Sequence, residues 1–138
     1  MGIGYRFKDI SLYHRALSHK SFGPDNNERL EFLGDTVLNF LTSRMLYDSA
    51  PTTGTMSLEG RLSEARTCLV SNSHLADCAR NIGLGAELLL GRGEDNDKGR
   101  DKTSILSDAM EALIAAIYLD GGLLEARNFC SRFIWGRA

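Results

Sequence analysis

Three carboxylates, Glu28, Glu31 and Asp35, sit three and four residues apart in the stretch Asn27-Glu28-Arg29-Leu30-Glu31-Phe32-Leu33-Gly34-Asp35. At about 100° per residue, a helix gathers all three into an arc of about 60°. Like charges on neighbouring turns repel, each close pair costing roughly a few tenths of a kcal/mol even in water. Acids on a surface helix are ordinarily a solvated face, but two features argue otherwise here. No Lys or Arg stands four residues after any of them, where an ion pair would relieve the charge. Bulky Phe32 projects on the same side, about 40° from Glu28 by the same arithmetic. A hard divalent cation, which selects oxygen ligands, would offset the repulsion. The pattern reads as half of a metal site.

The second half lies in Thr103 to Leu119, TSILSDAMEALIAAIYL, which is apolar on nearly every side except at Asp108 and Glu111. A helix apolar all round is normally buried, and these i, i+3 acids share one face of it. Buried carboxylates must be neutralised, hydrogen-bonded or bound to metal. Ala112 and Ala115 lie near the same face and would let another helix come close. Packing the two acidic faces together is the economical solution.

The elements that must position these residues all read as helices. The acidic helix starts at an Asn26 or Asn27 cap and runs for over twenty residues, ending before Pro51, with Leu30, Leu33, Val37, Phe40 and Leu41 as its core stripe. Ahead of it, residues 1–10 form a lead-in loop packed by Tyr5 and Phe7, and Ser11 caps a helix through LYHRALSH. After it, Ser57 caps a helix through MSLEGRLSEARTCLVS, broken near Gly60, and Ser71-Asn72 starts a shorter one that Gly83 closes. Leu84 to Arg100 is the least regular part, with GRGEDNDKGR read as a flexible surface loop in preference to a phosphate cradle. The last helix, LLEARNFCSRFIWG, directs Leu123, Leu124, Phe129, Phe133 and Ile134 inward. No segment alternates as a strand does, so the fold class is all-α. Arg61 and Arg66 read as solvent-facing, and His14 and His19, five apart, do not share a face as a metal pair would.

With 138 residues, 43% of them hydrophobic, the chain is expected to form one domain over residues 1–138. Its apolar runs stop short of the ~18 residues that span a bilayer, and the N-terminus lacks a basic-then-apolar signal pattern. Cys68, Cys78 and Cys130 are odd in number and contain no CxxC pair, which points to reduced thiols in a cytoplasmic protein with no membrane partner. A net charge of −2 lacks the basic excess of an autonomous nucleic-acid-binding module. Any affinity for RNA should therefore be modest and strongly salt-dependent. No G-x-S-x-G elbow occurs and no local pattern pairs a Cys with a His, so nucleophilic catalysis is poorly supported.

The stretch NERLEFLGD resembles the signature of the ribonuclease III endonuclease domain. GYRFKD, HRALSHKS, EGRLSEARTCLVSN, LADCAR, LGRGE and SILSDAMEALIAAIYLDGG resemble successive blocks of that family in the right order, covering residues 3–135. The resemblance implies an all-helical domain that forms a homodimer and cleaves double-stranded RNA with Mg²⁺, Mn²⁺ being able to substitute. By position it implies Glu31, Asp35, Asp108 and Glu111 as metal-site residues, with Asp35 and Glu111 as the catalytic acids. Glu28 matches an auxiliary acid at the edge of the site, and Phe32 an aromatic that enters a pocket of the partner subunit. Glu59 matches an acid sometimes found near the RNA valley and is left outside the set. The implied products carry 5′-phosphate and 3′-hydroxyl ends with short 3′ overhangs, in rRNA and mRNA processing. Members of the common bacterial kind continue into a separate double-stranded RNA-binding domain, whose absence from these residues implies weaker RNA affinity. Two other readings stand beside this one: a catalytically silent RNA-binding or ribonucleoprotein module of the same fold, and a helical metal-dependent hydrolase of a small nucleotide.

Overall fold

One helix that is apolar on every side must sit in the middle, and helices apolar on one side must wrap it. The structure, a computed structural model, describes residues 2–49 and 58–136. Its elements are α1 (Ile10–Leu17), α2 (Glu28–Ser49), α3 (Leu58–Val70), α4 (Asn72–Asn81), the short α5 (Leu84–Glu87) and α6 (Arg92–Asn96), a 3-10 turn (Gly99–Asp101), α7 (Thr103–Gly121) and α8 (Leu123–Phe133). Among the described residues the strand-like content is one isolated bridge, between Ser18 and Leu89. The fold is all-α.

From Ile105 to Ile117 every residue of α7 except Asp108 is buried, and α1, α2, α4 and α8 pack around it. Leu38, Leu75, Leu113, Ile114 and Ile117 are completely shielded from solvent. Each such aliphatic side chain contributes roughly 1.5–3 kcal/mol by leaving water. The closest approach is that of α2 to α7. A Cβ placed on Gly34 would lie 1.8 Å from the carbonyl oxygen of Glu111, so this crossing admits glycine alone. Ala112 and Ala115, also fully buried, extend the same close contact toward Leu30 and Ala16.

The core stripe of α2 is rotated from the expected one. Leu30, Gly34, Val37, Leu38, Leu41 and Thr42 are its buried residues, an arc from about 180° to 320° when Glu28 is set at zero. Phe40 falls outside that arc and is 54% exposed. Glu31 falls inside it. The acidic face thus straddles the edge of the solvent face of α2: Glu28, Phe32 and Asp35 are exposed, and Glu31, at the inner edge, is half-buried at the crossing with α7.

Other expectations are corrected locally. Asp9, not Ser11, caps α1: its carboxylate accepts from the Ser11 N–H (3.0 Å) and hydroxyl (2.6 Å). Asp9 is itself fixed, because Asp120 at the end of α7 accepts from its N–H (2.9 Å), from that of Lys8 (2.7 Å) and from the Tyr5 hydroxyl (2.6 Å). At the start of α2 it is Asn26 whose side chain accepts from the Glu28 N–H (3.1 Å), while Asn27, buried, donates to Ala16 O (3.1 Å). α3 runs unbroken through Gly60; Pro51 and Ser57 lie outside the described residues. In α8, Ala126, Phe129 and Cys130, followed by Ile134, form the inward stripe, and the first turn lies before it, leaving Leu123 and Leu124 42% and 65% exposed.

The stretch read as a flexible loop, Gly91 to Arg100, is built instead from α6 and the 3-10 turn, tied back to α5. Arg100 donates to Gly85 O (3.1 Å) and Leu88 O (2.6 Å) and pairs with Asp95 (2.9 Å). Lys102 binds both Glu94 (2.5 Å) and Asp97 (2.9 Å). The mixed charges are internal cross-links.

Candidate metal centre

The Gly34 crossing puts the inner acid of α2 against the two acids of α7. Glu31, Asp108 and Glu111 each offer a carboxylate oxygen, and these lie within 4.8 Å of one another. Glu111 is only 8% exposed, while Glu31 and Asp108 are half-buried. Glu31 shares a hydrogen bond with Asp108, and Glu111 shares one with Asp35. Asp35 sits one turn beyond Glu31 and is exposed; Asn39 donates to its carbonyl oxygen (2.8 Å) and, at 3.4 Å, to its carboxylate. Glu28, Glu31, Phe32, Asp35, Thr36 and Glu111 line a shallow cleft of about 380 Å³.

The cluster holds protons. Burial, then the hydrogen bond that the Glu111 carboxyl donates to Asp35 and the charge of Asp35, then the charges of Glu31 and Asp108, push Glu111 up to about 8. Burial and the neighbouring Asp108 push Glu31 up to about 7, with a smaller contribution from Glu28. Asp108 is also raised by burial, although its hydrogen bond with Glu31 and the charges of His19 and Lys20 act the other way. Three carboxylates cannot ionise together so close without a compensating charge. Oxygen donors alone, converging so closely that they retain protons for want of another positive charge, fit a hard divalent cation.

A pH dependence follows, with a definite sign. A divalent cation held here would compete with protons for Glu31 and Glu111, so affinity for an added cation such as Mg²⁺ should rise from pH 6 to pH 9, and binding near pH 7 should release protons. Calorimetry in two buffers of different ionisation enthalpy measures both. Without metal, these raised carboxyls bind more protons folded than unfolded. Stability should therefore fall as pH rises from about 5 through 8.

Of the residues singled out by sequence, Glu31, Asp108 and Glu111 converge, Asp35 joins them through Glu111, and Glu28 stands on the rim. Phe32 is 80% exposed beside them. Glu59 is elsewhere, accepting from Ser63 (2.9 Å) and lining a groove between α2 and α3 with Phe40, Tyr47, Leu62 and Arg66. Arg66 is exposed and donates to Ser43 (2.9 Å). Arg61 is not solvent-facing: its Nε and Nη2 are buried, with no hydrogen-bond partner among the described residues. Helical periodicity missed the His19-Lys20 pair, whose charges reach the cluster from a turn; the run HKS in HRALSHKS was the available sign.

A family model described as Ribonuclease-III-like matches residues 9–138. This chain belongs to the ribonuclease III family. Over 129 residues it is 47% identical to "Ribonuclease 3" of Nitrosococcus oceani, covering 94% of this chain and 54% of that protein. Over 126 residues it is 50% identical to "Ribonuclease 3" of Pseudomonas fluorescens, covering 91% and 53%. The nuclease domain of ribonuclease III from Campylobacter jejuni, a solved structure described for flexibility in its region of dimer formation, superposes with a TM-score of 0.90 at 42% identity, covering 96% of this chain and 91% of that one. The chain spans about half the length of the curated ribonuclease III relatives it matches.

Proposed function

We propose that residues 1–138 are the endonuclease domain of a homodimeric, cytoplasmic ribonuclease III that hydrolyses double-stranded RNA in rRNA and mRNA processing. The observation that carries this reading is the convergence of Glu31, Asp108 and Glu111 within 4.8 Å at a helix crossing, with Asp35 hydrogen-bonded to Glu111. These four acids hold Mg²⁺, with Mn²⁺ able to substitute, and their presence together argues against a silent module. A cation bound there supplies a water of lowered pKa and stabilises charge on the leaving oxygen. The chain's own groups do the rest. Asp35, exposed at the mouth, accepts a proton from the attacking water, Glu111 orients Asp35 from beneath, and Glu28 adds negative charge at the rim. Neither a covalent intermediate nor a histidine base is required. Duplexes are selected through A-form shape and 2′-hydroxyl contacts.

Two such sites in one dimer cut both strands. Phe32 supports the dimer: it stands exposed beside a cleft of about 990 Å³ floored by Leu12, Leu30, Leu33 and Leu119. In a two-fold pair each Phe32 enters the other subunit's cleft, so one substitution acts twice. Phe32→Ala should weaken dimerisation at least about 100-fold, the scale of aromatic anchors, while leaving the monomer folded. Sedimentation equilibrium reads the first and circular dichroism the second.

The reaction itself is tested by mapping products of a defined RNA hairpin. The expected ends are 5′-phosphate and 3′-hydroxyl, with short 3′ overhangs on the two strands. Ends bearing 3′-phosphate, or equal cutting of single strands, would overturn the reading.

A further inference from the structure

The turn between α1 and α2 is braced from both sides. Ser18 is buried, donates to His14 O (2.7 Å) and accepts from the Asn27 N–H (2.8 Å). The His19 N–H donates to Leu89 O (3.0 Å), and the Leu89 N–H to Leu17 O (2.9 Å). Ser21 Oγ accepts from the Gly91 N–H (2.9 Å) and lies 2.8 Å from His19 Nδ1, which also accepts from the Ser21 N–H (3.1 Å). Even the glycine is required, since a Cβ at Gly91 would meet Ser21 O at 2.3 Å. His19 and Ser21 are thereby fixed.

Lys20, between them, is exposed and makes no hydrogen bond or ion pair with any described residue. Its charge nevertheless reaches both Glu31 and Asp108. A surface lysine ordinarily needs no explanation. This one is held by a rigid turn beside a cluster of acids and pairs with none of them. A cluster of carboxylates repels an RNA phosphate, and the chain's net charge of −2 offers no general attraction. An ammonium on a flexible stem is a suitable point-charge partner for phosphate.

We infer that Lys20 is a substrate-contacting residue of this site, its ammonium binding an RNA phosphate beside the bond that is cut. The inference rests on the duplex-cleavage reading above. It separates two effects that a structural lysine would move together. Removing the charge deprives RNA of a contact, and it also relieves repulsion between Lys20 and a cation held by the acids.

The test compares wild type, Lys20→Met and Lys20→Arg in duplex cleavage at several salt concentrations, with Mg²⁺ binding followed by calorimetry. Lys20→Met is expected to lose about 10-fold or more in kcat/KM at low salt, the scale of a charged hydrogen bond. Its log–log salt slope should be shallower by about one, with Mg²⁺ bound as tightly as in wild type or more tightly. Lys20→Arg should keep most of the activity. Cleavage unaltered in Lys20→Met, beside an active wild type, overturns this inference alone. Lys20→Met that weakens Mg²⁺ binding and cleavage together also overturns it, by making Lys20 a support of the acids. A wild type that leaves the duplex intact overturns the underlying reading and this inference with it.

Discussion

Glu111→Gln is expected to abolish cleavage while making the metal-free protein more stable at alkaline pH. Glutamine keeps the size of the side chain and its hydrogen bond to Asp35, so the α2–α7 crossing should survive. It removes a ligand oxygen's charge, and the loss should exceed about 100-fold, the upper scale for perturbing a group that only orients a ligand. The stability effect has a determined sign. In wild type, Glu111 is pushed up to about 8, first by burial and then by Asp35. Above that pH the folded state must carry a buried negative charge beside other acids, and the amide relieves it. The variant's thermal midpoint should therefore exceed that of wild type at pH 9 in chelator, and the pH-dependent part of the difference should vanish only below about pH 4, where Glu111 is neutral both folded and unfolded. Added Mg²⁺ should reverse the order, because wild type alone gains stability from binding. A variant that cleaves normally would remove Glu111 from the mechanism. One that is destabilised at every pH would assign it a purely structural role.

Gly34→Ala should have the largest effect on the fold. Its methyl would lie 1.8 Å from the Glu111 carbonyl oxygen and 2.5 Å from the attached carbon. Those atoms belong to the backbone of the central helix and cannot rotate aside, so the helices must separate. Overpacking of this kind costs about 3 kcal/mol or more, which corresponds to a fall of roughly 10 °C or more in the thermal midpoint of a domain this size. Separation also parts Glu31 from Asp108 and Glu111, so Mg²⁺ binding should fall even below the new midpoint. Gly93→Ala is the control, since a Cβ there meets nothing within 4 Å and alanine favours its helix. An unchanged midpoint for Gly34→Ala would contradict the close crossing.

The acids were legible because their types and spacings leave few inexpensive alternatives, and α7 because nothing but a central position suits so apolar a helix. Phe40 was misjudged because a helical wheel gives the relative angles of side chains but not the rotation of the helix against its neighbour. That rotation is set by Gly34, the one α2 position where backbone can touch backbone. The stretch from Gly91 to Arg100 was misread as a flexible loop because its order comes from Arg100 and Lys102 reaching carbonyls and acids 5 to 15 residues away. Such pairing has no periodicity. Asp9 displaced Ser11 as a cap for a similar reason, its backbone being held by Asp120, 111 residues along the chain. Lys20 escaped notice because its relation to the acids passes through a turn braced by Leu89 and Gly91.

The central claim is that the acids at the α2–α7 crossing hold a divalent cation for the cutting of duplex RNA. Incubation of a long perfect RNA duplex at low salt with Mg²⁺, with Ca²⁺ or with chelator tests it most directly. Short duplex fragments should form with Mg²⁺ and in neither of the other two conditions. Equal cleavage in chelator, or an intact duplex with Mg²⁺ at protein concentrations where the dimer forms, would contradict it.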